Sequence, residues 1–162
     1  DRIAASGVPV IASALNDLPA TFELLGATQS NIGRMKDAGV KVSIGMIDDR
    51  DSHQLRYTTQ YAGNLVSLQK VPRATGLTWD EAFAAISSGP AEAMGMGDKL
   101  GSLKAGRVGD VVGWDGDPLE LSSAPVSVYI DGVEQPLSNR QNRLRDRYRT
   151  PQEGNLPKAY EH

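Results

Sequence analysis

The chain has 162 residues, a net charge of −3, no cysteine and two histidines, His53 and His162. That length suits one domain with its own core, and the charge gives no global electrostatic case for nucleic acid or an anionic membrane. Disulfides and thiolate zinc sites are excluded, a histidine-rich metal centre cannot come from this chain alone, and no apolar run approaches the roughly 20 residues of a membrane span.

The sequence opens on Asp1, in what reads as a helix end stopped by Gly7, so a piece of a longer or processed polypeptide is expected. Val8–Ala14 is the first strand candidate, with Asn16 and Asp17 just past its end. Residues 18–26 hold Pro19, Leu24 and Leu25 and read as a loop with a helical turn. The spacing then predicts a helix over 27–38, with Ile32 and Met35 on one face and Gly39 as its stop.

The next stretch, GVKVSIGMIDD at 39–49, organises the chain. Val40, Val42, Ile44 and Met46 alternate with Lys41, Ser43, Gly45 and Ile47, and the run reads as a buried strand over 40–47. The order helix, strand, loop, helix, strand is the rhythm of a parallel βαβ unit. In such sheets catalytic and binding groups gather at the carboxyl ends of the strands, where Asp48 and Asp49 fall. The same pair also suits a solvated turn or the N-cap of the next helix.

Residues 54–69 read as a helix with Leu55, Thr59, Ala62, Leu65 and Val66 at helical spacing, and Tyr57 and Tyr61 as packing residues. Thr78-Trp79-Asp80-Glu81 is a capping box. The helix after it is expected to bury Ala82, Phe83 and Ile86. Gly89-Pro90 breaks it, and a short helix restarts with Pro90 in first position. From Leu100 the chain turns β-rich: Val111–Trp114, a turn at Asp115-Gly116, Val126–Ile130, a turn at Asp131-Gly132, and Val133–Gln135. So few short strands are expected to join strands from elsewhere. Residues from Leu137 carry Arg140, Arg143, Arg145, Arg147 and Arg149 and read as a solvated terminal helix, with 151–162 an extended tail.

Several of these segments resemble the amidohydrolase superfamily. LGSLKAGRVGDVVGWDGDPLE resembles its glycine-rich turn, Ala-Asp-Leu-Val strand and Gly-Asp-Pro-Leu turn near the C-terminus, with Gly109 in place of the usual alanine. VYIDGVEQ resembles the hairpin that follows. GLTWDEAFAAISSGPAEAMGM resembles the family's Gly-Leu-Ser-x-Glu-Glu-Ala-Leu helix and Asn-Pro-Ala-x-x-Leu-Gly element. GVKVSIG resembles its last barrel strand. The four come in the family's order and spacing, from about Val8 to Tyr148, and are most similar to the imidazolonepropionase-like, prolidase-like branch.

The resemblance implies an α/β fold: the C-terminal fragment of a (β/α)8 TIM-type barrel plus part of a small composite β-sandwich. Residues 1–98 would hold the last βα units and following helices, 99–137 the C-terminal sandwich strands, and 138–162 a terminal helix and tail. It implies a metal-dependent hydrolase acting on a C–N bond of a cyclic amide or dipeptide-like small molecule, the fragment alone being inactive. The metal, expected to be zinc, would be held mainly by residues upstream, with the rest of the same protein or further copies as partners.

Of the family's metal ligands, only the aspartate ending the last strand falls in this chain. Matching GVKVSIG places Ile47 at that position. Strand parity puts Ile47 and Asp49 on the face of the small residues Ser43 and Gly45, and a one-residue bulge at Met46-Ile47 brings Asp48 inward instead. Asp48 is therefore the first candidate for metal ligand and proton carrier, and Asp49 the second candidate ligand. The third alternative is a lost ligand, leaving an amidohydrolase-like binding or assembly module. His53 in DRDSH reads either as a barrel-mouth ligand or as a solvated or capping residue. Arg50 and Arg56 suit a substrate carboxylate or surface ion pairs. Asn16 suits the pocket wall or a turn.

Overall fold

In the first half of the chain, glycines with positive φ end two helices, Gly7 after the first and Gly39 after the second. The computed structural model describes residues 2–14, 18–46 and 55–149. Helix α1 (Arg2–Ser6) ends at Gly7, which adopts φ 66°. Strand β1 (Val10–Ala12) follows, then a 3-10 turn at Phe22–Leu24 and helix α2 (Asn31–Asp37). α2 closes in a Schellman motif: Gly39 takes φ 83°, its N–H donates to the Lys36 carbonyl, and the Val40 N–H donates to Met35 at 2.9 Å. That turn aims the chain into strand β2 (Val42–Ile44), which pairs parallel with β1. Val10, Ile11 and Ala12 face Val42, Ser43 and Ile44 in register.

Both segments are shorter than their sequence pattern. The helix expected over 27–38 starts at Asn31, because Thr28 forms a turn: its Oγ1 accepts from the Ser30 N–H and its carbonyl from the Asn31 N–H. The strand expected over 40–47 is ladder-paired over three residues, because β1 offers three partners.

A 3-10 turn (Leu55–Tyr57), helix α3 (Thr58–Ser67) and a second 3-10 turn (Leu68–Lys70) occupy the next expected helix. Ala62 and Leu65 are buried as the spacing predicts, and Tyr61 is a packing residue, but Leu55 is 70% exposed because it precedes the α-helical stripe. Helix α4 (Trp79–Ile86) opens on the expected capping box and helix α5 (Ser88–Ala93) follows a break at Ser87. Two details of the expectation are corrected. Phe83 is exposed, stacked on Trp79 at 5.1 Å, and Ala85 takes its place in the core. α5 starts at Ser88, so Pro90 is its third residue and not its first.

One core joins these pieces. Ile32, Leu65 and Leu77 are fully buried, with Val40, Val42, Ile44, Ala62 and Ala82 around them. Each large aliphatic side chain contributes about 1.5–3 kcal/mol. β2 is the central element, since α2, α3, α4 and α5 all pack against it.

The β-rich region forms a separate antiparallel sheet of β3 (Val111–Trp114), β4 (Pro125–Ile130) and β5 (Val133–Glu134), in that order. Its β4–β5 turn places both Asp131 (φ 51°) and Gly132 (φ 75°) in the left-handed region, as a two-residue hairpin requires. Gly109 lies under that turn: a Cβ there would sit 2.8 Å from the Gly132 nitrogen, which accounts for glycine where the family pattern has alanine. Helix α6 (Arg140–Arg149) ends the described chain. Among the described residues, no helix is long and apolar enough to cross a membrane.

Candidate functional site

Because β1 and β2 are parallel and in register at Ala12 and Ile44, the chain leaves both strands at the same edge of the sheet. Val10, Ala12, Val42 and Ile44 pack into the helix-covered core, while Ile11 and Ser43 share the opposite face. Ile11 is exposed there, and Ser43 is closed in by α5, where a Cβ on Gly89 would lie 2.8 Å from its Oγ. Gly89 thus lets α5 approach the strand.

The candidate residues follow those strand ends in sequence. Asn16 comes after β1, and Asp48, Asp49, Arg50 and His53 come after β2; all five lie outside the described residues. Among the described residues, no group of three histidine, aspartate or glutamate side chains could hold a metal ion. The donor chemistry fits a metal only in part: Asp48 and Asp49 offer carboxylate oxygens, and a complete ligand set needs further groups.

Arg56 and Tyr57 are described, immediately after that segment. Arg56 Nη2 donates to the Tyr57 hydroxyl at 3.2 Å and its guanidinium lies 5.0 Å from the ring centre, with no ion pair to a described carboxylate. They line a groove of about 430 Å³ with Leu119, Leu121 and Trp114. A second cavity, of about 400 Å³, lies beside Pro9 and Lys41, which precede the strands, so it opens at the amino ends of β1 and β2. Lys36, Lys41, Glu81 and Glu92 balance its charge.

Two contacts dock the sheet on the helices. Trp79 Nε1 donates to both oxygens of Asp117 at 3.0 and 2.9 Å, and Asp117 also accepts from the Leu119 N–H. Leu119 is buried in the core, its carbonyl against Gly63 of α3. Sequence reasoning missed this latch; the Asp-Pro pair in GWDGDPLE was its one local sign. Beneath it, the Thr78 N–H holds the Glu81 carboxyl below the usual carboxylate range; burial opposes this, and the Thr78 hydroxyl and Lys36 add to the lowering.

A family model described as "Amidohydrolase family" matches residues 2–142. The chain is 48% identical over 60 residues to Amidohydrolase tasK of Hapsidospora irregularis, a match covering 37% of this chain and 6% of that protein. Its fold is similar to the crystal structure of an amidohydrolase from Thermotoga maritima, with TM-score 0.69 and 26% identity over 82% of this chain and 32% of that one. E. coli guanine deaminase shares the fold at TM-score 0.60 and 19% identity, over 85% of this chain and 35% of that one. The chain thus spans about a third of the length of these solved structures and, in its match, a small part of the Hapsidospora irregularis protein. Matched by the family model over nearly all of its described length, this chain belongs to the amidohydrolase family.

Proposed function

We propose that this chain is the C-terminal portion of a metal-dependent amidohydrolase that hydrolyses a C–N bond of a cyclic amide or dipeptide-like substrate. The observation that carries the reading is the family match across 2–142 together with the strand that leads into Ile47-Asp48-Asp49. On this reading β1 and β2 are the last strands of a (β/α)8 barrel, and β3–β5 are the C-terminal strands of a composite β-sandwich. The imidazolonepropionase-like, prolidase-like branch is the nearest in motif.

A divalent ion, zinc by preference, would be held by Asp48 or Asp49 together with ligands from the rest of the polypeptide, and would supply Lewis-acid chemistry there. Asp48 would be a ligand of that ion; it takes a proton from the attacking water and returns it to the leaving nitrogen. Asp49 is the alternative ligand. Arg50 and His53, which follow in the sequence, orient the substrate, the arginine by paired hydrogen bonds to a carboxylate. Asn16 lines the pocket from the neighbouring strand end.

The test uses the complete polypeptide that carries this chain, assayed for release of carboxylate from a panel of cyclic amides and dipeptides. Asp48→Ala is expected to lower kcat by about 10²–10⁴ while the far-UV circular dichroism spectrum stays that of the folded parent. Turnover unaffected by Asp48→Ala contradicts the assignment. No turnover in the parent favours the degenerate binding module suggested by Ile47.

A further inference from the structure

The charge of this chain is sorted along it. Residues 108–139 carry six acidic and no basic side chains. α6 then carries five arginines against Asp146, so the other 152 residues hold 12 basic and 19 acidic side chains, a net charge of −7. α6 makes no extended packing with any other helix or strand. Arg145 is held by the adjacent Asp146 at 2.7 Å and Arg147 lies 5.5 Å from the Tyr148 ring centre. Arg140, Arg143 and Arg149 have no carboxylate partner among the described residues, and Tyr148 is exposed.

A matching acidic corner lies at the β4–β5 turn. Asp110 Oδ1 accepts from the Asp131 N–H at 2.8 Å, and Glu134 follows on β5. All three residues are exposed, and none is in an ion pair with a described cation. Only Gln135–Asn139 separate β5 from α6, yet the helix makes no ion pair with its own corner.

We propose that α6 is a docking helix for a second copy of this chain, its arginines seating on the second copy's Asp110–Asp131–Glu134 corner. A two-fold pair repeats the contact, because each copy offers both a basic helix and an acidic corner. Opposed potentials of this kind steer association and fix register. A polyanion such as RNA would meet the same helix but also the net −7 of the remaining chain, which repels it.

Sedimentation of the complete polypeptide tests this. From 0.1 to 1 M salt the screening length falls from about 10 to about 3 Å, and the dimer dissociation constant is expected to rise about tenfold or more. Arg143→Glu with Arg147→Glu is expected to be monomeric, and so is Asp131→Lys with Glu134→Lys. An equimolar mixture of the two variants is expected to restore the dimer, since the unaltered arginine helix of one meets the unaltered acidic corner of the other, and the two introduced glutamates face the reversed corner. Glu134→Lys alone serves as the second corner variant, because Asp131 occupies a left-handed backbone position where lysine is strained. Four results overturn the proposal: a monomeric parent at 0.1 M salt, association that salt and charge reversal leave unchanged, a mixture that stays monomeric, or capture of RNA or anionic vesicles by α6 without self-association.

Discussion

At residue scale, the capping box shows what a local sequence signal can deliver. Thr78 Oγ1 accepts from the Glu81 N–H at 3.3 Å, and Glu81 accepts from the Thr78 N–H at 3.0 Å. Thr78→Ala is expected to lower unfolding free energy by about 1 kcal/mol, read by urea denaturation. The lowered Glu81 pKa fixes a pH dependence: its contribution is present above the ordinary glutamate value and lost as pH falls through the lower folded value. The stability difference between the parent and Glu81→Gln should therefore shrink on acidification from about pH 7 to about pH 3; a constant difference contradicts the assignment. This box was legible because its partners are three residues apart. The Trp79–Asp117 bond, 38 residues apart, was not, and its consequence was misread as well: Phe83 stays outside, stacked on the latched Trp79, where helical spacing alone put it in the core.

At the scale of elements, two glycines set how closely the layers approach. A Cβ on Gly63 would run into the Leu119 carbonyl, and one on Gly33 into the carbonyls of Thr75 and Gly76. Gly63→Ala is expected to cost about 1–3 kcal/mol through overpacking and to push the β3–β4 connection off α3. Faster hydrogen exchange at the Leu119 amide, which is bonded to Asp117, would register that movement. Element type was readable from periodicity throughout, as at Val40–Met46 and Ala62–Leu65. Element extent was not, because a strand is as long as its partner allows and β1 pairs over three residues. The candidate site was legible only as chemistry at a strand end. Parity along Ser43, Gly45 and Ile47 leaves Asp48 and Asp49 as alternatives, and a single-residue bulge reverses which one faces inward.

For the whole molecule, the faces left open are the informative feature. Val112, Val126, Ile130 and Val133 are exposed on one face of the antiparallel sheet, joined there by Val128, and Ile11 is exposed on the face of the parallel pair where α5 closes in Ser43. With the family match and about a third of the length of its solved relatives, these faces support the reading of a part whose remaining strands and metal ligands lie in the rest of the polypeptide. The most direct test of that reading is elemental analysis of the complete polypeptide beside its Asp48→Ala variant, both after exhaustive dialysis. The account predicts stoichiometric divalent metal in the parent and a clear loss in the variant. Metal absent from both, or equally retained in both, contradicts it.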